Sequence, residues 1–148
     1  MIFLHLILGL ICGKLFGNTW FFVGASMLPD IDHLYLIIKH HLFPLKKTIT
    51  ILKKEEEHNI HFKTPVMHSL LGLILCTLIF FVITTSTQFT FYFFLMYTSH
   101  LLLDWPDIDR KMYLYPLKKE FRGRVPIWSN GEKVITALSI LILILLYV

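Results

Sequence analysis

Charged side chains are scarce in this sequence of 148 residues. Aspartate, glutamate, lysine and arginine together make up 16% of it, whereas soluble globular domains contain about 25%. Hydrophobic residues reach 55%, and long apolar runs such as Val66–Ile83 and Val134–Val148 account for the excess. This composition excludes a soluble or a disordered chain, and it predicts an integral membrane protein.

Cysteine is also rare. Only Cys12 and Cys76 are present, and both lie inside apolar runs. A thiol in such surroundings behaves as a small hydrophobic side chain. The sequence therefore supports neither a disulfide framework nor a zinc site built on cysteine, and it argues against redox chemistry.

The net charge of +4 is unevenly distributed. Apart from Lys14, every lysine and arginine lies in one of two blocks between apolar runs, Lys39–Lys63 and Arg110–Lys133. Basic clusters next to membrane helices mark the cytoplasmic side and contact anionic lipid head groups. We therefore expect membrane lipid as a partner, and no specific nucleic acid.

The apolar residues form segments that predict an all-α fold. A single membrane-embedded domain, residues 1–148, would form a bundle of about five apolar helices. The segments are Ile2–Phe16, Thr19–Leu42 with a break at Pro29, Pro65–Thr84, Phe89–Trp105 and Lys133–Val148. A spanning helix needs about 17 to 20 apolar residues, so the first segment and Trp20–Leu28 could either tilt or penetrate only part of the bilayer.

Orientation follows from the basic blocks. Both blocks should be cytoplasmic, whereas the turn Thr84–Gln88 carries no charge and should be external. The prediction is a multi-pass protein of the cell membrane whose chain starts inside and ends outside.

Ionisable residues in membrane helices are costly and indicate function. In this sequence they fall at the predicted cytoplasmic end of each segment, with His68 expected one turn into the third helix. The set that we predict to bind metal is His5, Asp30, Asp32, His33, His68, His100 and Asp104.

Local spacing supports this metal site. His100 and Asp104 are four residues apart and share a helix face, and Asp30 and His33 are three apart. Imidazole and carboxylate together suit zinc or another divalent transition ion. Alternatives remain, since Asp30 could favour a helix N-terminus and Asp104 could end a helix. We interpret His40, His41 and His58 as interfacial polar residues.

Three motifs, in order after His5, resemble the YdjM-like family of LexA-binding, inner-membrane-associated, metal-dependent hydrolases. They are Leu28-Pro-Asp-Ile-Asp-His33, Met67-His-Ser-Leu70 and Ser99-His-Leu-Leu-Leu-Asp104, and Tyr115-Pro116-Leu117 matches a later element. The resemblance covers about Met1–Leu117. It implies a distant similarity to zinc-dependent phospholipase C and single-strand nucleases, which are helical proteins with a metal cluster.

The resemblance also implies roles for residues. His5, Asp30, His68, His100 and Asp104 would be ligands, while Asp32 and His33 belong to the motif with open roles. The family has a His-Arg pair before the His-Ser pair. Here Lys63 lies at the matching distance and His61 two residues earlier, so either could complete the site.

We expect a metal-dependent hydrolase at the cytoplasmic membrane face, acting on a phosphoester of a lipid or a lipid-linked compound. Zinc is the expected ion, with manganese as the alternative. Asp30 or Asp32 would bridge metals or act as general base, and Lys63, Arg110 or Lys111 would neutralise the phosphate. The alternative function is a non-catalytic divalent-metal-binding membrane protein, either for ion handling or as a scaffold.

Overall fold

Helices dominate the computed structural model, which describes residues 2–43, 63–126 and 129–148. No strand occurs in these ranges, where β pairing is limited to two isolated bridges, Asp107 with Val125 and Lys111 with Phe121. The all-α prediction is confirmed. The helices are α1 (Ile2–Phe16), α2 (Thr19–Met27), α3 (Ile31–Lys39), α4 (Leu70–Thr84), α5 (Thr87–Asp104) and α6 (Asn130–Tyr147).

The predicted break at Pro29 is present as a 3-10 turn, Leu28–Asp30, between α2 and α3. Proline lacks an N–H group and is tolerated in the first turn of a new helix but not inside an old one. The two helices and the turn form a continuous stretch, Thr19–Lys39. With that stretch counted once, the described part of the chain contains the five predicted apolar segments.

Side-chain caps determine where several helices start. Asn18, Ser69, Ser86 and Ser129 each accept a hydrogen bond from the backbone N–H three residues later. The cap at Ser69 corrects one expectation, because α4 begins at Leu70 and not near Pro65. His68 therefore lies in the turn before the helix, where its backbone N–H donates a hydrogen bond of 3.1 Å to the carbonyl oxygen of Thr64.

Close packing of α1 against α2 forms a hairpin at Gly17, whose φ of 83° is in the left-handed region. A Cβ on Gly9 would lie 2.6 Å from Ser26 Oγ, and a Cβ on Gly13 would lie 2.4 Å from the Thr19 Cα. Glycine permits this backbone approach, as in many membrane helix pairs. The hairpin returns α2 to the end of α1 that carries His5.

The outer surface is strongly apolar. Trp20, Val82, Ile83 and Leu145 are all exposed, and large exposed apolar areas indicate contact with lipid or another protein. Two stretches, Thr19–Lys39 and Asn130–Tyr147, are long and apolar enough to cross a membrane, while α1 and α4 are shorter. A bundle with more crossings stays a prediction.

Candidate metal centre

The predicted ligands from four separate segments meet in one buried cluster. His5 comes from the start of α1, Asp30 from the 3-10 turn, His68 from the turn before α4, and His100 and Asp104 from the end of α5. His5, His68, His100 and Asp104 are each at most 1% exposed. Candidate ligand atoms form three groups, and the atoms within each group lie within 4.8 Å of one another. The groups are His5, His100 and Asp104; Asp30, His68 and His100; and Asp32, His33 and His68.

Hydrogen bonds orient two of the imidazole rings. His100 Nδ1 lies 2.7 Å from the Ser26 carbonyl oxygen, and His68 Nδ1 lies 3.1 Å from Asp32 Oδ2. Both oxygens only accept hydrogen bonds, so Nδ1 carries the proton in each neutral ring. The lone pair is then on Nε2, which in both residues is buried and has no hydrogen-bond partner among the described residues.

Both Nε2 atoms face the same two carboxylates. His68 Nε2 lies 3.8 Å from Asp30 Oδ1 and 3.5 Å from Asp104 Oδ2. His100 Nε2 lies 3.6 Å from Asp30 Oδ1 and 3.7 Å from Asp104 Oδ2. These atoms are too far apart for good hydrogen bonds, but two ligands that each lie about 2 Å from one ion have this separation. The residues therefore fit a divalent metal ion.

The turn that carries His68 is fixed from α5. Tyr97 Oη donates a hydrogen bond of 2.7 Å to the carbonyl oxygen of Met67, and Ser69 Oγ donates one of 2.7 Å to that of Val66. Burial opposes a charge on His68, but the carboxylates of Asp30 and Asp32 outweigh this effect and raise the pKa of His68 to about 9. The carboxylates thus attract a cation to this position.

His5 packs against His100. Its ring stacks on that of His100 with 3.7 Å between centroids, and its Nε2 lies 3.1 Å from Asp104 Oδ1. His5 Nδ1 is buried and has no hydrogen-bond partner in the described ranges. His5 thus contacts Asp104, and one of its nitrogens remains available to a ligand.

Asp32 makes the most hydrogen bonds in the centre. Its Oδ2 accepts from Thr64 N and Thr64 Oγ1, both at 2.8 Å, and from His68 Nδ1 at 3.1 Å. Its Oδ1 lies 2.8 Å from His33 Nδ1. A carboxylate that holds the far nitrogen of a histidine is the usual outer partner of a metal ligand. The predicted ligand and base roles of Asp32 stay predictions.

The carboxylates of Asp107 and Asp109 also belong to the centre, although the sequence did not predict them. Lys63 Nζ is buried and lies 3.0 Å from Asp104 Oδ2, 3.0 Å from Asp107 Oδ2 and 3.5 Å from Asp109 Oδ2. These carboxylates overcome burial and raise the pKa of Lys63, so the ammonium stays charged. The sequence does contain a signal, because Pro-Asp-Ile-Asp occurs at 29–32 and again at 106–109.

Other candidate residues lie elsewhere. His40 and His41 are exposed after the end of α3 and belong to none of the three ligand groups found in the described residues. His58 and His61 lie outside the described residues. Of His61 and Lys63, the two residues that could complete the site, the structure therefore describes only Lys63.

The family model of the YdjM inner membrane protein matches residues 1–148, the whole chain. The chain belongs to this family. The match extends past Leu117, where the motif resemblance ended, and it agrees with the apolar exterior and the two candidate membrane spans. No curated protein and no solved structure matches the chain.

This YdjM family chain also has a cavity of about 200 Å³ beside His68. Lys63, Thr64, Arg110, Lys111 and Glu120 contribute to its wall. Lys111 Nζ donates to the carbonyl oxygens of Asp107 and Asp109, and burial next to Lys63 lowers the pKa of Lys111 to about 8. Of the four charged residues that line the cavity, three are basic, and the cavity adjoins the candidate metal ligand His68.

Proposed function

We propose that this protein is a membrane-bound, metal-dependent hydrolase that acts at the cytoplasmic face on a phosphoester of a lipid or a lipid-linked compound. The observation that carries the proposal is the pair of buried Nε2 atoms of His68 and His100, which face the carboxylates of Asp30 and Asp104. A donor set of nitrogen and oxygen without thiolate is typical of catalytic metal sites. Zinc is the proposed ion, and manganese is the alternative.

A bound divalent ion supplies an activated water molecule and polarises the phosphoryl oxygen. Asp30 Oδ2 is buried and has no hydrogen-bond partner among the described residues, which suits a ligand or an acceptor of the proton of water. Asp32, with both oxygens in hydrogen bonds, holds His68 in position. This assignment favours Asp30 over Asp32 as the general base.

The basic cavity suits the phosphate. It adjoins His68, and its size accommodates a head group better than a whole lipid. Arg110 lies at the wall of the cavity, and 39% of its side chain is exposed. Its Nη1 lies 3.7 Å from Glu120 Oε1. A guanidinium group binds phosphate through two parallel hydrogen bonds, so we assign phosphate recognition first to Arg110.

A lipid substrate is supported by the surface near the site. On α3 the exposed residues Ile31, Leu34, Tyr35 and Ile38 follow the spacing of one helix face, while Asp32 and Leu36 are buried on another. An apolar face of this kind lies at the lipid boundary in interfacial helices. The substrate would then approach from the membrane surface and not from bulk water.

The test is hydrolysis by the detergent-purified chain. Chromogenic phosphomonoesters and phosphodiesters are assayed first, and phospholipids in mixed micelles afterwards. Chelator should abolish activity, and zinc or manganese should restore it. His100→Ala should lose both bound metal and activity, whereas His40→Ala, a change of an exposed imidazole, should lose neither. Absence of chelator-sensitive hydrolysis at full metal occupancy would contradict the proposal.

The second candidate is a non-catalytic metal-binding membrane protein. Burial of His5, His68, His100 and Asp104 favours it, because closed sites are typical of structural ions. In that case chelator would unfold the protein, and no ester would be hydrolysed. Transport is disfavoured, since the halves of α4 and α5 away from the site offer only Thr, Tyr and Gln as polar residues.

A further inference from the structure

The repeated Pro-Asp-Ile-Asp motif leads to two different surroundings. In the first copy, Asp30 and Asp32 face the imidazoles of His68 and His33. In the second copy, Asp107 and Asp109 face the ammonium of Lys63, at 3.0 Å and 3.5 Å from Nζ. The motif therefore supplies two pairs of carboxylates. The first pair faces imidazoles, which can bind a metal ion, and the second pair faces a lysine.

Asp104 joins the two surroundings. Its Oδ2 lies 3.5 Å from His68 Nε2 and 3.7 Å from His100 Nε2, and it also lies 3.0 Å from Lys63 Nζ. The His68 and His100 atoms are buried and have no hydrogen-bond partner within the described ranges. One carboxylate oxygen thus connects a candidate metal position to the position of the ammonium.

We infer that Lys63 is a built-in cation that occupies the second cation position of the centre, so that the protein binds one divalent ion and not two. The inference rests on the metal centre of the proposed function and specifies its stoichiometry. A second ion bound by Asp107 and Asp109 would need the space of the Lys63 ammonium. In a buried site the two positive charges would also repel each other strongly.

Removal of the ammonium should open the second position. In Lys63→Met the stem of the side chain is kept while the charge is lost, and the carboxylates of Asp104, Asp107 and Asp109 are left without their common partner. Three carboxylates that have lost the ammonium between them repel one another in a buried site, so they should take up a divalent ion from solution.

The experiment measures zinc per chain. The untagged full chain in detergent is equilibrated with zinc, separated from free metal by gel filtration, and analysed for metal and protein. We expect one zinc ion on the wild-type protein and two on Lys63→Met. Lys111→Met is the matched control, because Lys111 Nζ contacts the backbone carbonyls of Asp107 and Asp109 and leaves Lys63 in place. It should bind one ion.

A combined variant identifies the second position. Lys63→Met with Asp107→Asn and Asp109→Asn should return to one ion, because two of the three carboxylates are gone. If Lys63→Met aggregates without zinc, zinc should restore its native elution, since an ion replaces the missing charge. Aggregation at every zinc concentration would overturn the inference.

The remaining outcomes separate this inference from the proposed function. Two ions on the wild-type protein, or one ion on folded Lys63→Met, would overturn the role of Lys63 and leave the hydrolase proposal intact. Absence of both zinc and manganese from the wild-type protein, each tested in the same way, would overturn both. Ester hydrolysis by the detergent-purified chain is measured separately from the number of zinc ions per chain.

Discussion

The chemistry at the scale of single residues depends on which atom of each side chain is engaged. In His68 and His100 one nitrogen is held by a hydrogen bond and the other faces Asp30 and Asp104. In Asp32 both oxygens accept hydrogen bonds. Asp30 and Asp32, which belong to one motif, therefore have different hydrogen-bond environments. Two predictions follow from this difference.

Asp32→Asn separates the positioning role of Asp32 from that of a general base. An amide cannot accept from Thr64, His33 and His68 together, so the His68 ring should lose its orientation. We expect metal affinity to fall about 10- to 100-fold, as for other outer partners of metal ligands. Titration with a fluorescent zinc indicator measures the change. Thr64→Val, which removes only one of these hydrogen bonds, should have a smaller effect in the same direction.

A general base at Asp32 predicts a different pattern. Metal affinity would then be kept, and turnover at full metal occupancy would fall about 10²- to 10⁴-fold. The wild-type rate would also rise with pH through one ionisation that is absent from the variant. This result would identify Asp32, and not Asp30, as the general base.

The pH dependence of metal binding follows from His68. Its pKa in the metal-free protein is raised from 6.5 to about 9, so this ring stabilises the metal-free fold below pH 6.5, and the contribution disappears as the pH rises through about 9. Metal must displace the proton, so affinity should rise by up to about tenfold per pH unit toward pH 9. Isothermal titration calorimetry in two buffers should detect proton release at pH 7. A flat affinity between pH 6.5 and 8.5 would contradict this assignment.

At the scale of helices, caps and close contacts place the functional side chains. Ser69 starts α4 one residue after His68, and Asp104 is the last residue of α5. The small residues of α1 bring it against α2, so that His5 reaches Asp104. The boundaries of the helices thus matter more to the site than their interiors do.

Gly9→Ala tests the contact between α1 and α2. The new methyl group would lie 2.6 Å from Ser26 Oγ and 2.7 Å from the Val23 Cα, so the helices must separate. We expect destabilisation of about 1–3 kcal/mol, measured by thermal unfolding in detergent. Gly24→Ala is the control, because nothing lies within 4 Å of its added Cβ. Equal stability of the two variants would mean that the contact does not hold the hairpin.

At the scale of the whole molecule, the cluster lies where the ends of α1, α2 and α5 meet the turn before α4. The opposite end carries Gly17 and the Thr85–Ser86 turn between α4 and α5. Along the sequence, the basic blocks adjoin the segment ends that supply the cluster, whereas Thr84–Gln88 carries no charge. Membrane orientation should follow this difference.

Reporter fusions test the orientation. A reporter fused after Leu45 should lie in the cytoplasm, as should one within Lys118–Arg124, because both places are in the basic blocks. A reporter inserted between Thr85 and Ser86 should lie outside. If a cytoplasm-specific reporter is active between Thr85 and Ser86, the metal centre does not lie at the cytoplasmic face as proposed.

The sequence alone determined the helical class, the family resemblance and most donors of the centre. Helical segments follow from local hydropathy, and the pairs His100 with Asp104 and Asp30 with His33 follow from helical spacing. The start of α4 could not be predicted from hydropathy, because Pro65–Met67 continue the apolar run while Ser69 provides the cap.

Only the tertiary structure decided which nitrogen of His68 and His100 is available, that Asp32 supports His68, and that Lys63 joins Asp104 to Asp107. Each of these facts depends on contacts between segments far apart in the chain, such as His100 with Ser26. Periodicity describes which face of its own helix a residue occupies, but it carries no information about the partner that packing brings to that face. The hydrogen bonds that assign roles to these donors form only when the helix ends are packed together.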